Sequence, residues 1–147
     1  MQKSPPDLRR WLLWALLGSM PAAGAHSPGE DARVFFRNLQ DGDRVTSPVR
    51  VEFGIQGYGI VPADVRDRRR HTGGHHHLLV DYPGLPELDR PLPQDDPRCI
   101  HFDGGETWTL LPLSPGRHRL QLILGDEDHE PTDPPLVSEP VVIEVIP

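Results

Sequence analysis

The feature that most limits how this chain can fold is the regular alternation of short apolar runs with clusters of Gly, Pro, Asp and Ser. No segment sustains a helical period. The clearest run is VRVEFGI at 49–55, where Val49, Val51, Phe53 and Ile55 alternate with Arg50, Glu52 and Gly54. A two-residue period of this kind marks a strand with one face in a core. Further runs at 32–37, 75–82, 99–102, 107–113, 118–124 and 141–146 bring the expected total to about seven strands, with SPG at 114–116 as a tight turn. The pattern predicts an all-β fold, an immunoglobulin-like antiparallel β-sandwich, ahead of a closed barrel. With Cys99 as its one cysteine the chain has no internal disulfide, so apolar packing must supply the core. The segment 83–97, PGLPELDRPLPQDDP, reads as a long acidic, Pro-rich loop, functional or mobile.

Ahead of these runs, Lys3, Arg9 and Arg10 precede the apolar stretch WLLWALLGSM, and PAAGA follows with small residues at the positions a signal peptidase reads. The expectation is a signal peptide over 1–25, cut after Ala25, and one β-sandwich domain over 26–147. The apolar stretch is too short for a bilayer of about 30 Å, so no transmembrane anchor is expected after cleavage. Arg9-Arg10 is weakly similar to a twin-arginine leader, with general secretion as the default. The mature chain is expected in the periplasm or outside the cell. It would begin at His26, whose free amine and imidazole can together chelate an ion such as Cu(II).

The balance of 22 acidic and 15 basic residues, a formal charge of −7, argues against nucleic acid as a partner, because that role needs a basic footprint. The one basic cluster, RDRRRH at 66–71, reads as a solvated loop tip. No nucleophile elbow, phosphate-cradling loop or dinucleotide fingerprint occurs, so no catalytic residue is marked.

The eight histidines are the unusual content. Strand parity puts His75, His77 and Leu79 on one face and His76, Leu78 and Val80 on the other, more apolar face, so His75 and His77 are expected to point outward. The same test on CIHF turns Ile100 and Phe102 inward, with Cys99, His101 and Asp103 opposite. If the two strands are neighbours, these donors share one patch. His75 and His77, spaced i, i+2, can both reach one ion. Asp126 and His129 in GDEDHEP lie on a loop able to close over it. The candidate metal ligands are therefore His75, His77, His101, His129, Asp126, Cys99 and His26. Nitrogen-rich ligation favours Cu(II) or Zn(II) over Mg(II) or Ca(II). The competing reading keeps these histidines as hydrogen-bonding groups beside Asp81, Asp103 and Asp126, with no ion. Cys99 serves equally as a ligand or as a small buried hydrophobe. His118 reads as a structural residue at a strand edge and His71 as loop.

TGGHHHLLVD at 72–81, CIHFDGGET at 99–107, SPGRHRLQLILGDEDHEP at 114–131 and PPLVSEPVVIEV at 134–145, with the opening VFFRNLQDGDRVTSPVRVEFGIQGYGI, resemble the bacterial family called domain of unknown function 4399. The resemblance runs from about Arg33 to Val145. It implies an exported single-domain β protein and assigns no activity. His75, His76, His77, His101, Asp126 and His129 match the family pattern, whereas Cys99 stands where its His-x-His usually starts and Thr132 where another His often follows. A looser likeness, carried by His26 and fold class alone, is to small periplasmic copper-binding sandwiches. Two functions compete: a metal-binding protein, and a non-catalytic module whose 83–97 loop and His face meet an envelope protein or polymer. A small metalloenzyme ranks behind both, since no open coordination position is marked.

Overall fold

Residues 27–65 and 73–147 are described in the computed structural model of the chain. The expected leader, His26, His71 and the basic cluster at 66–71 lie outside the described residues. Among the described residues there is no helix, and so none long and apolar enough to cross a membrane. In chain order the strands are β1 (Arg33–Phe36), β2 (Arg44–Thr46), β3 (Val49–Gln56), β4 (Gly59–Ile60), β5 (Gly73–Val80), β6 (Cys99–His101), β7 (Trp108–Leu111), β8 (Gly116–Gly125) and β9 (Val141–Ile146). All seven expected strands are present. Of the two additional ones, β2 lies in DGDRVTSP at 41–48, whose Asp, Gly, Ser and Pro read as a turn, and β4 is two residues long; each makes a parallel pair, β2 with β9 and β4 with β5, in an otherwise antiparallel structure.

The strands form two sheets, one ordered β1-β3-β7 and the other β2-β9-β8-β5-β4, with β6 also paired to β5. Val34, Val49, Val51 and Phe53 of the first sheet meet Leu78, Leu120, Leu122, Leu124, Ile143 and Val145 of the second in one apolar core. The alternation in β3 is the reason: Val49, Val51 and Phe53 are buried while Arg50 is exposed. His76 belongs to this core, its ring 5.1 Å from that of Phe53, as the parity of β5 requires.

The larger sheet departs from expectation on its other face. Parity correctly separates His75, His77 and Leu79 from His76 and Leu78, but the face they share is not solvent. His75 and His77 have no exposed surface at all, which corrects the outward placement. The Pro-rich loop 83–97 folds across this face and inserts Leu92, which forms a second apolar cluster with Leu79, Cys99 and Ile123, with Tyr82, Leu88 and Val137 packed around it. The loop is tied down through its backbone: Leu92 N–H donates to the His129 carbonyl at 2.8 Å, and the Pro93 carbonyl accepts from His101 Nε2 at 2.9 Å. It is a strap over the sheet.

Gly73 and Gly74 let β5 lie close to its neighbours. A Cβ on Gly74 would collide with the Gly125 carbonyl oxygen on β8, and one on Gly73 would stand 2.5 Å from Val61 Cγ2. Neither backbone nor branched side chain yields cheaply, so Gly74→Ala is expected to destabilise the protein by about 1–3 kcal/mol, typical of overpacking. A fall in the urea midpoint at unchanged slope is the measurement that checks it.

Candidate metal centre

The site is built from three strand positions and one turn. His77 and His101 are directly opposed in the antiparallel β5–β6 pair, and His75 lies two residues before His77 on the same face. His129 comes from the turn after β8, where its N–H donates to the Asp126 carbonyl at 3.0 Å and its backbone is left-handed, φ 63°. Ring centroids are 4.5 Å apart for His75–His77 and for His77–His101, and 5.0 Å for His101–His129 and for His75–His129. One ring nitrogen from each of the four lies within 4.8 Å of those from the other three. Gly125, opposite His75 on β8, makes the room: a Cβ there would stand 2.6 Å from His77 Cε1.

These rings are poorly supplied with hydrogen bonds. Both nitrogens of His75, both of His77 and Nδ1 of His101 are buried without a partner. Because the Pro93 carbonyl can only accept, His101 Nε2 carries the hydrogen and Nδ1 keeps its lone pair. His129 is better served: Gln94 Nε2 lies 3.4 Å from its Nδ1, and Asp103 Oδ1 lies 3.3 Å from its Nε2. Asp103 Oδ1 also stands 3.5 Å from His75 Nε2, at the rim of the cluster, with its side chain 59% exposed.

Burial keeps the deep imidazoles neutral. His77 is pushed down to about 2, first by desolvation and then by repulsion from His75, His101 and His129. His75 is lowered to about 4, again by burial first and then by His129, with Asp103 partly opposing. His76 also falls to about 4 through burial, which outweighs the nearby backbone of Glu106 and Gly54. Of these, His75 and His77 present lone pairs to whatever occupies the space among the four clustered rings.

Among the described residues the structure brings together His75, His77, His101 and His129 and leaves Asp126 and Cys99 out. The Asp126 carboxylate accepts from the N–H groups of Asp128 and Glu130 at 2.9 Å each, an Asx turn that shapes the loop carrying His129. Cys99 packs into the second apolar cluster, and burial pushes its thiol up to about 11, so it is a small hydrophobe rather than a thiolate. Thr132 spends its hydroxyl on the Pro134 carbonyl and Leu136 N–H. On β8, His118 lies between Asp81 Oδ2 at 2.7 Å and the Ser114 carbonyl; burial alone would lower it, but these two partners outweigh that and raise it. Asp103 and Gly125 were not among the ligand candidates. Strand parity put Asp103 on the face of His101 and made it a hydrogen-bonding neighbour of the histidines, the part it plays here, whereas nothing local marks Gly125.

A pH dependence follows from the three lowered histidines. Below the ordinary value of 6.5 the unfolded chain takes up protons that the folded protein refuses until about pH 4, so stability is full above 6.5 and is lost as the pH falls from there. Each histidine contributes up to about 1.4 kcal/mol per pH unit. His118, with its raised value, works in the opposite sense. Urea unfolding of metal-free protein between pH 7.5 and pH 4.5 is expected to show a steep decline, and a flat profile would contradict neutral burial.

No curated protein and no solved structure matches this chain significantly. A family model does match, over residues 51–146, which span β3 to β9 and all four clustered histidines. By that match the chain belongs to the family described as domain of unknown function, DUF4399.

Proposed function

We propose that this protein binds one divalent transition-metal ion, Cu(II) or Zn(II), through His75, His77, His101 and His129, and acts as an exported carrier or buffer of that ion. The observation that carries the reading is the set of unpartnered ring nitrogens on His75, His77 and His101, sealed from solvent and within 4.8 Å of a fourth imidazole. Leaving one buried polar atom unpaired costs about 1–3 kcal/mol. A water molecule offers two protons to such acceptors, whereas a metal ion takes a lone pair from each. Bonds of about 2.0–2.1 Å in a tetrahedral site hold nitrogens about 3.4 Å apart, so closure from the present spread needs at most about 1.4 Å. All-imidazole ligation suits Cu(II) and Zn(II), while Ca(II) and Mg(II) want oxygen donors. Asp103 at the rim supplies a compensating negative charge. The leader expected over 1–25 accords with a role outside the cytoplasm.

The His face first considered for a partner is roofed by the 83–97 strap, so a second reading, that of an interaction module, is favoured by a different surface. Phe35, Trp108 and Leu110 are exposed on the three-stranded sheet, with Arg50 stacked 4.5 Å over Trp108. An envelope partner held by that face would stay bound after chelation, which separates the two readings.

For the metal reading, tag-free protein should hold close to one Cu(II) or Zn(II) per chain by elemental analysis. Saturating ion at 100 times Kd should add about 2.7 kcal/mol to stability. His77→Ala combined with His101→Ala is expected to weaken affinity by more than about 100-fold, since even outer-shell partners of a metal are worth 10–100-fold. Metal-free protein whose stability ignores both ions would end the proposal.

A further inference from the structure

We infer that His129 is a displaceable ligand: the ion rests permanently on His75, His77 and His101, and the His129 position opens to an incoming nitrogen donor, the imidazole of an acceptor molecule. The inference rests on the metal reading above and concerns how the ion enters and leaves.

Two observations separate His129 from all the other ligands, and a third separates it from His75 and His77. The first is its support. His75, His77 and His101 stand on two hydrogen-bonded strands in fixed register, whereas His129 sits on a turn held by the Asp126 carboxylate. The second is the presence of alternative partners. Both nitrogens of His77 and Nδ1 of His101 have none, and His75 has only the Asp103 carboxylate 3.5 Å from Nε2, outside hydrogen-bond geometry, while both nitrogens of His129 are engaged: Gln94 Nε2 at 3.4 Å and Asp103 Oδ1 at 3.3 Å. With Gln94 donating to Nδ1, His129 Nε2 carries the hydrogen and donates it to Asp103, so both ring nitrogens have a partner that does not depend on an ion. The third is access. The His75 side chain is 0% exposed, against 16% for His129 and 59% for Asp103, so His129, like the partly exposed His101, lies nearer the side where the site meets solvent than the buried pair His75 and His77.

In the exchange the metal–nitrogen bond to His129 breaks and a bond to the incoming imidazole forms. The released ring takes up Asp103 and Gln94. One imidazole nitrogen replaces another on the ion, so its oxidation state is unchanged and no electron need be supplied. A site of this kind combines tight holding by three buried ligands with an exit that an acceptor's own ligand can open, as handing the ion on requires.

The full chain loaded with Cu(II) tests this by electron paramagnetic resonance and competition titration, with free imidazole as the incoming donor. His129→Ala should keep one Cu(II) per chain with affinity reduced by no more than about tenfold, and one added imidazole should change its spectrum. His77→Ala should lose more than about 100-fold. Independently of any variant at His129, the wild-type spectrum should shift on adding imidazole, and Asp103→Ala should raise the imidazole needed by about 3- to 10-fold, because the released ring loses its acceptor. A His129→Ala loss as large as that of His77→Ala, wild-type and His129→Ala spectra that both ignore imidazole, or an imidazole requirement unaffected by Asp103→Ala overturns the displaceable ligand while leaving the metal site standing. A wild-type protein that holds no Cu(II) overturns both.

Discussion

β5 is held in register along both of its edges. Leu78 stands opposite Leu122 on β8 and Ile100 on β6, and His77 stands opposite Ile123 and His101. A slip of one residue would exchange the faces of the strand, sending His75 and His77 into the main core and exposing Leu78 to the strap. The leucines that face Phe53 and Val51 across the sandwich forbid that slip. The placement of the imidazoles thus follows from apolar contacts made by their neighbours in sequence.

Burying three successive histidines is unfavourable, and the structure meets it differently on the two faces. His76 lies among aromatic rings, where its flat apolar surface packs against Phe53. On the other face no comparable apolar wall exists at the cluster itself. The rings of His75, His77, His101 and His129 wall one another, and the adjoining cluster of Leu79, Leu92, Cys99 and Ile123 keeps water off one side. This arrangement is stable only while the imidazoles stay neutral, or while something positive is shared among them.

The strand pattern was legible in the sequence because apolar runs, β3 the clearest, stand between clusters of turn-forming residues. Parity also sorted His75, His77 and His101 onto one side. What parity cannot carry is the identity of whatever covers a face. An uncovered antiparallel sheet and one roofed by a strap show the same alternation, and Leu88 and Leu92, which form the roof, are scattered among prolines and carboxylates. The exchange of roles between Asp126 and Asp103 has a similar cause. Asp126 is adjacent to His129 in sequence, but a carboxylate that close to its own turn is consumed by local N–H groups, and the distant Asp103 arrives through the β5–β6 pairing. β2 and β4, three and two residues long, exist only because a partner strand is already in place.

The strap meets the cluster through main-chain atoms, Leu92 N–H to the His129 carbonyl and the Pro93 carbonyl to His101. Main-chain contacts are indifferent to which side chains flank them and intolerant of a change in residue count. Apart from the inserted Leu92, substitutions along this stretch should therefore accumulate freely among relatives, while insertions and deletions between Tyr82 and Cys99 should be rare, since one residue more or less would carry the wrong carbonyl to His101.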